Sequence, residues 1–178
     1  MRVARRPLSV ALVAWMVAGC VSAPPTSALP LAYSGRLAVR AAASASRAAT
    51  AFSARFELSG NATHGRLQLF SPLGTTLADA LWNPSGVVLR SGEHLQVFDT
   101  LDDMALSALG QPIPLAALWD WLEGRPHAST PALPIHAPTG FEQWGWRIDT
   151  SSLQDAGLLQ ASQDTPAGIT TLRIRLDR

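Results

Sequence analysis

Ala51-Phe52-Ser53-Ala54-Arg55-Phe56-Glu57-Leu58 alternates without a break: Phe52, Ala54, Phe56 and Leu58 fall on one side, Ser53, Arg55 and Glu57 on the other. A period of two marks a strand with one face buried and the other wet. The same alternation closes the chain at Ile169–Leu176, where Leu172, Ile174 and Leu176 stand against Thr171, Arg173 and Arg175. Outward from the first stretch, Gly35–Arg40 sets Leu37 beside Val39, and Arg66–Phe70 sets Leu67 beside Leu69. Thr75–Trp82, Val87–Arg90, His94–Phe98, Gln143–Asp149 and Leu158–Ser162 complete the predicted strands. Asn83-Pro84-Ser85-Gly86 and Ser91-Gly92-Glu93 supply tight reversals between them. Connections this short make an antiparallel meander, because parallel crossovers need a dozen residues or more. The fold class is mainly β, with a single antiparallel sheet.

The period changes once. Asp102–Leu109 (DDMALSAL) opens with acids suited to a helix N-terminus and ends before Gly110, a normal C-terminal cap. Pro114–Glu123 predicts a second helix, with Leu115, Leu118, Trp119 and Leu122 on one stripe and Asp120 and Glu123 elsewhere. Pro126–Gly140 reads as a Pro-rich connection. The helical insert, about 102–124, therefore interrupts the strands.

The chain has 178 residues, 47% hydrophobic and 15% charged, enough for one domain with a sizeable core. Its 14 basic residues are all Arg, and Arg2, Arg5 and Arg6 stand in the first six positions. Without that segment, 11 basic residues face 13 acidic ones, so no basic reservoir remains for a nucleic-acid partner. The single Cys forbids an internal disulfide framework.

Residues 1–19 read as a signal peptide. After the arginines, Leu8–Ala18 is an uncharged apolar run, too short for the roughly 20 residues of a spanning helix. It ends in Val17-Ala18-Gly19-Cys20, which resembles the lipobox of bacterial lipoproteins. Small residues admit the peptidase to the backbone, and the Cys20 thiol supplies the nucleophile for lipidation. Two or more acyl chains, at about 0.8 kcal/mol per buried methylene, make a stable anchor. In that class Asp after the Cys retains the protein in the inner membrane; here Val21 stands there, which points to the outer membrane. Residues 20–34 carry the lipidated Cys and a Pro- and Ser-rich tether, reaching about 30 Å if fully extended, and 35–178 form the domain.

Chemistry-bearing motifs are missing. G-x-S-x-G, P-loop, C-x-x-C and H-E-x-x-H do not occur, and His64, His94, His127 and His136 are far apart. Asp102-Asp103 is explained by its place at a helix start. The expectation is no enzyme, no catalytic residue, no metal and no cofactor. What remains is apolar surface: a one-sheet domain has a face to cover, and any part left uncovered can line a cavity. The tryptophans Trp82, Trp119, Trp121, Trp144 and Trp146 divide between core packing and such a cavity. In Ser71-Pro72-Leu73-Gly74, Leu73 stands at the tip of a turn, where it could dip into a bilayer or a partner's apolar mouth.

Leu69–Thr76 (LFSPLGTT), Leu109–Leu115 (LGQPIPL) and Leu118–Pro126 (LWDWLEGRP), in that order between the lipobox and the closing strand, resemble the outer-membrane lipoprotein receptor family LolB. The resemblance spans nearly all of residues 20–178. It implies an incomplete β-barrel closed by a helical lid over an apolar cavity, like that of the periplasmic carrier LolA. It also implies receipt of lipoproteins from LolA and their insertion into the inner leaflet of the outer membrane, by a monomer lipid-anchored at the periplasmic face. Partners are then LolA, the acyl chains of client lipoproteins and the leaflet itself. Pro72, Leu73 and Gly74 correspond to the family's membrane-insertion loop. Phe52, Phe56, Leu67, Leu69, Trp82, Leu89, Leu115, Trp119, Leu122, Trp146 and Ile148 are the expected cavity and lid residues. The short stretch after Cys20 leaves little room for the N-terminal helix of longer members. The competing expectation is an assembly lipoprotein of the outer membrane that binds another protein and encloses no lipid.

Overall fold

The computed structural model describes residues 29–43, 48–109, 113–166 and 168–177; the expected signal peptide, the expected lipidation site Cys20, most of the expected tether and the expected Gly110 cap lie outside them. Among the described residues eleven strands form one antiparallel sheet: β1 Leu31–Ala41, β2 Thr50–Gly60, β3 Gly65–Phe70, β4 Thr76–Asn83, β5 Gly86–Ser91, β6 His94–Phe98, β7 Leu133–His136, β8 Thr139–Gln143, β9 Trp146–Asp149, β10 Leu158–Thr165 and β11 Gly168–Leu176. Their spatial order is β6-β5-β4-β3-β2-β1-β11-β10-β9-β8-β7. The chain thus meanders from the centre to one edge, crosses to the other, and meanders back until β11 pairs with β1. β6 and β7 are left as edges, so the barrel is incomplete.

The crossing is the helical insert. Helix α1, Leu101–Leu109, is followed by a 3-10 turn, Leu115–Ala117, that runs into α2, Leu118–Leu122. Thr100 caps α1: its hydroxyl donates to Asp103 at 2.6 Å and accepts the Asp103 N–H at 3.1 Å. Partial desolvation holds the neighbouring Asp102 carboxyl above its ordinary value; the Leu115 backbone N–H opposes this and Asp103 adds to it. Asp102 thereby links α1 to the start of the 3-10 turn. Met104, Ala105, Ile113, Ala117, Leu118, Trp121 and Leu122 of this insert join Val39, Phe56, Leu58, Trp82, Ile148, Leu159 and Ile174 of the sheet in one core.

Three local readings are corrected. Gln143–Asp149 is not one strand but the β8–β9 hairpin, reversed at Trp144 and Gly145, which have φ of 51° and 76°. Two positive φ angles match the right-handed twist of the flanking strands, and Trp-Gly is not a usual signal for that turn. Pro126–Gly140 holds β7 as well as a connection; Pro134 is tolerated because β7 is an edge strand. The predicted single helix over 114–123 is broken into the 3-10 turn and α2, which shifts its phase and buries Trp121 completely.

Core packing is tight around Trp82. Its indole N–H donates to the carbonyls of Asn61 and Ala62, both at 3.2 Å, and its ring covers Gly65, where any Cβ would overlap it. Gly65→Ala is therefore expected to destabilise the domain by about 2 kcal/mol or more, read in a urea melt.

Candidate functional site

Between the sheet and the insert lies a cavity of about 570 Å³. This is within the range of pockets that hold small ligands. Leu37 and Val39 of β1, Phe52 of β2, Leu67 and Leu69 of β3, Ala78 and Ala80 of β4, Leu89 of β5, and Leu172 and Ile174 of β11 line its sheet side. They reach it because alternation sends every second residue of each strand to one face. Met104, Ala105, Ala108 and Leu109 of α1, with Ile113, Leu115 and Leu118, form the cover. Thr50, Ser91 and Gln96 are the polar residues of the wall, and among the described residues no charged side chain lines it. Such a wall offers dispersion and exclusion of water, and almost no directional bonding. It suits a flexible hydrocarbon better than a polar substrate.

Of the eleven expected residues, Phe52, Leu67, Leu69, Leu89 and Leu115 line this cavity. Phe56, Trp82, Leu122, Trp146 and Ile148 are buried in the surrounding core. Alternation gives the direction of a side chain but not the depth of the filling beneath it. The cavity residues missed by sequence reasoning are chiefly small or sit on the insert: Ala78, Ala80, Met104, Ala105 and Ile113. Alanine on an inward position is a usable signal for empty space, since a larger residue there would fill it.

Trp119 serves the cover from outside the cavity. Half-buried, it packs on Tyr33 of β1 with ring centroids 5.9 Å apart. Desolvation, and then the Glu123 carboxylate, push the Tyr33 hydroxyl above its ordinary pKa, while Arg125 opposes them. Trp119→Ala is expected to cost about 2 kcal/mol, less than a fully buried Trp, while the folded fraction keeps its affinity for apolar ligand. A urea melt and a dye titration measure the two quantities separately.

The far end of the insert is locked by polar groups. Asp120 accepts from His127 Nδ1 at 2.6 Å and pairs with Arg125 at 2.7 Å, and Gly124, at φ 77°, turns the chain between them. Buried Gln143 accepts from the Trp121 indole at 3.1 Å and the His127 N–H at 3.0 Å, and donates to the His127 and Thr130 carbonyls at 2.7 Å. The Leu118–Pro126 motif is thus an exit held by hydrogen bonds at one end of the cover. Among the described residues, no three His, Cys, Asp or Glu side chains gather as a metal site, and no helix is long and apolar enough to cross a membrane.

The Ser71–Thr75 loop stands apart from the cavity. Gly74 N–H donates to the Ser71 carbonyl at 2.9 Å, and Ser71 N–H donates to the Thr75 carbonyl at 2.8 Å. Gly74 takes a φ of 84°, where a side chain would be strained. Braced in this way, the loop holds Leu73 at 95% exposure. Folding gains nothing from an apolar side chain so placed.

Comparison with known proteins agrees with this architecture. The family model described as outer membrane lipoprotein LolB matches residues 31–177. The chain is 31% identical to the outer-membrane lipoprotein LolB of Bordetella petrii, over 92% of this chain and 87% of that protein. It is 30% identical to its namesake in Thiobacillus denitrificans, covering 82% of each. The namesake in Cupriavidus metallidurans is also 30% identical, over 96% of this chain and 85% of that protein. With the open sheet, the covered apolar cavity and a match across every described strand, the chain belongs to the outer membrane lipoprotein LolB family.

Proposed function

We propose that this outer-membrane lipoprotein accepts lipoproteins from the periplasmic carrier LolA, holds their acyl chains in the cavity, and inserts them into the inner leaflet through Leu73. Lipoprotein localisation at the outer membrane is the work of the family; the handover and the site residues are the proposal. The observation that carries it is the wall of the cavity, almost wholly apolar over about 570 Å³ and, among the described residues, uncharged. A C16 chain exposed to water forfeits up to about 12 kcal/mol, so passage from one apolar cavity to another avoids a large barrier. Direction follows if the receptor binds the chain more tightly than the carrier does, with no nucleotide required. Cys20 would be the anchor, joined to the domain by the tether.

The test is mass spectrometry of lipids extracted non-covalently from the purified chain. Acyl-bearing lipid close to one molecule per chain is expected. Lipid no more abundant than on a control lipoprotein would favour an assembly role and sink the proposal.

A further inference from the structure

On the face of the sheet opposite the cavity, Arg55 of β2, Arg36 of β1 and Arg175 of β11 stand directly opposite one another in register. The row continues to Phe70, the last residue of β3 before the leucine loop, which pairs with Arg55. Arg173 stands two residues along β11, and with Ser53 and Pro72 these arginines surround a shallow recess of about 350 Å³. Like charges set opposite each other across strands weaken a sheet. Arg55 has a loose partner in Glu57 at 3.5 Å, but Arg36, Arg173 and Arg175 make no ion pair among the described residues. Elsewhere on this face Arg66 pairs with Asp79 at 2.6 Å and Arg147 with Glu142 at 2.9 Å, and Arg40 and Arg90, which make no ion pair among the described residues, face no other arginine in register. Folding does not account for the unpaired group. An external anion does, and the guanidinium fork matches phosphate.

We propose that Arg36, Arg55, Arg173 and Arg175 seat the anionic headgroups of phospholipids in the leaflet that Leu73 enters. This rests on the reading of Leu73 as the membrane-entering residue. Pro72 forms part of the recess wall, so headgroups held there lie one residue from the leucine. Hydrocarbon contact at the tip and phosphate contact beside it would fix the angle at which the receptor meets the bilayer.

The experiment uses the full chain, purified with its anchor and carrying a polarity-sensitive fluorophore at Thr75→Cys, an exposed position beside Leu73. It is reconstituted in phosphatidylcholine vesicles with or without about one-third phosphatidylglycerol. Emission should shift to the blue in both, and further in the anionic vesicles, with that excess removed by salt. Arg36→Gln with Arg175→Gln should lower the ratio of inserted to free loop about 30-fold in anionic vesicles, and Lys at both positions should restore most of it. A blue shift independent of lipid charge and of the arginines would overturn this proposal while leaving the Leu73 reading intact. No blue shift in any vesicle would overturn both. An unchanged shift with impaired acceptance from the carrier would assign the face to a protein partner and likewise overturn it. A urea melt of each variant separates these outcomes from misfolding.

Discussion

Leu73→Glu is expected to abolish delivery of lipoprotein to membranes while acceptance from the carrier continues. The leucine is at 95% exposure on a loop closed by its own backbone hydrogen bonds, so its removal takes nothing from the core. A carboxylate carried to depth in a bilayer costs about 2.5 kcal/mol or more, which reverses the gain from a buried leucine. Stability should stay within about 0.5 kcal/mol of the parent, as for an ordinary surface change. A two-step transfer assay, carrier to receptor and receptor to liposome, separates the two stages. Normal delivery by the variant would reduce the loop to a plain turn.

The second large effect is expected from filling the cavity. Ala78 lies on β4 opposite Leu69, and both line the space. Ala78→Trp should occupy the room of three or four methylenes, and at about 0.8 kcal/mol each this lowers affinity for an acyl chain by roughly 100-fold. Stability should hold or rise, because the ring enters empty volume and displaces no packed neighbour. That combination, a stable protein with lost binding, is what a filled scaffold could not produce. In a filled core the same change would overpack and destabilise by about 1–3 kcal/mol. Fatty-acid titration and urea melts of the two proteins decide between them.

The parts of the fold legible in the sequence were those with an unbroken period. Phe52–Leu58 and Thr171–Leu176 announce their strands and their inward faces, and the pairing of β1 with both β2 and β11 follows that pattern through ten and seven residue pairs. Legibility failed where chemistry and period disagree. Trp144, Trp146 and Ile148 alternate as in a strand, yet the backbone reverses at Trp144-Gly145; the permissive residue is Gly145, and nothing in a tryptophan signals a positive φ. Trp121 lay off the predicted stripe because the stripe assumed one uninterrupted helix from Pro114, and the 3-10 turn rotates the residues of α2 about the axis. For the site, inward direction was readable and depth was not. Phe56 and Leu69 pair with each other, but Phe56 is buried in the core while Leu69 meets the cavity.

In the proposed transfer, acyl chains travel inside the domain and not along its surface. Leu89 and Val88 are consecutive on β5; Leu89 lines the cavity, and Val88 is exposed on the opposite face. A photoreactive amino acid placed at each in turn, with lipoprotein-loaded carrier then added, tests the claim directly. Cross-linking to the client's acyl chains from position 89 and none from position 88 is the predicted result. Equal yields from the two, or none from position 89, would contradict it.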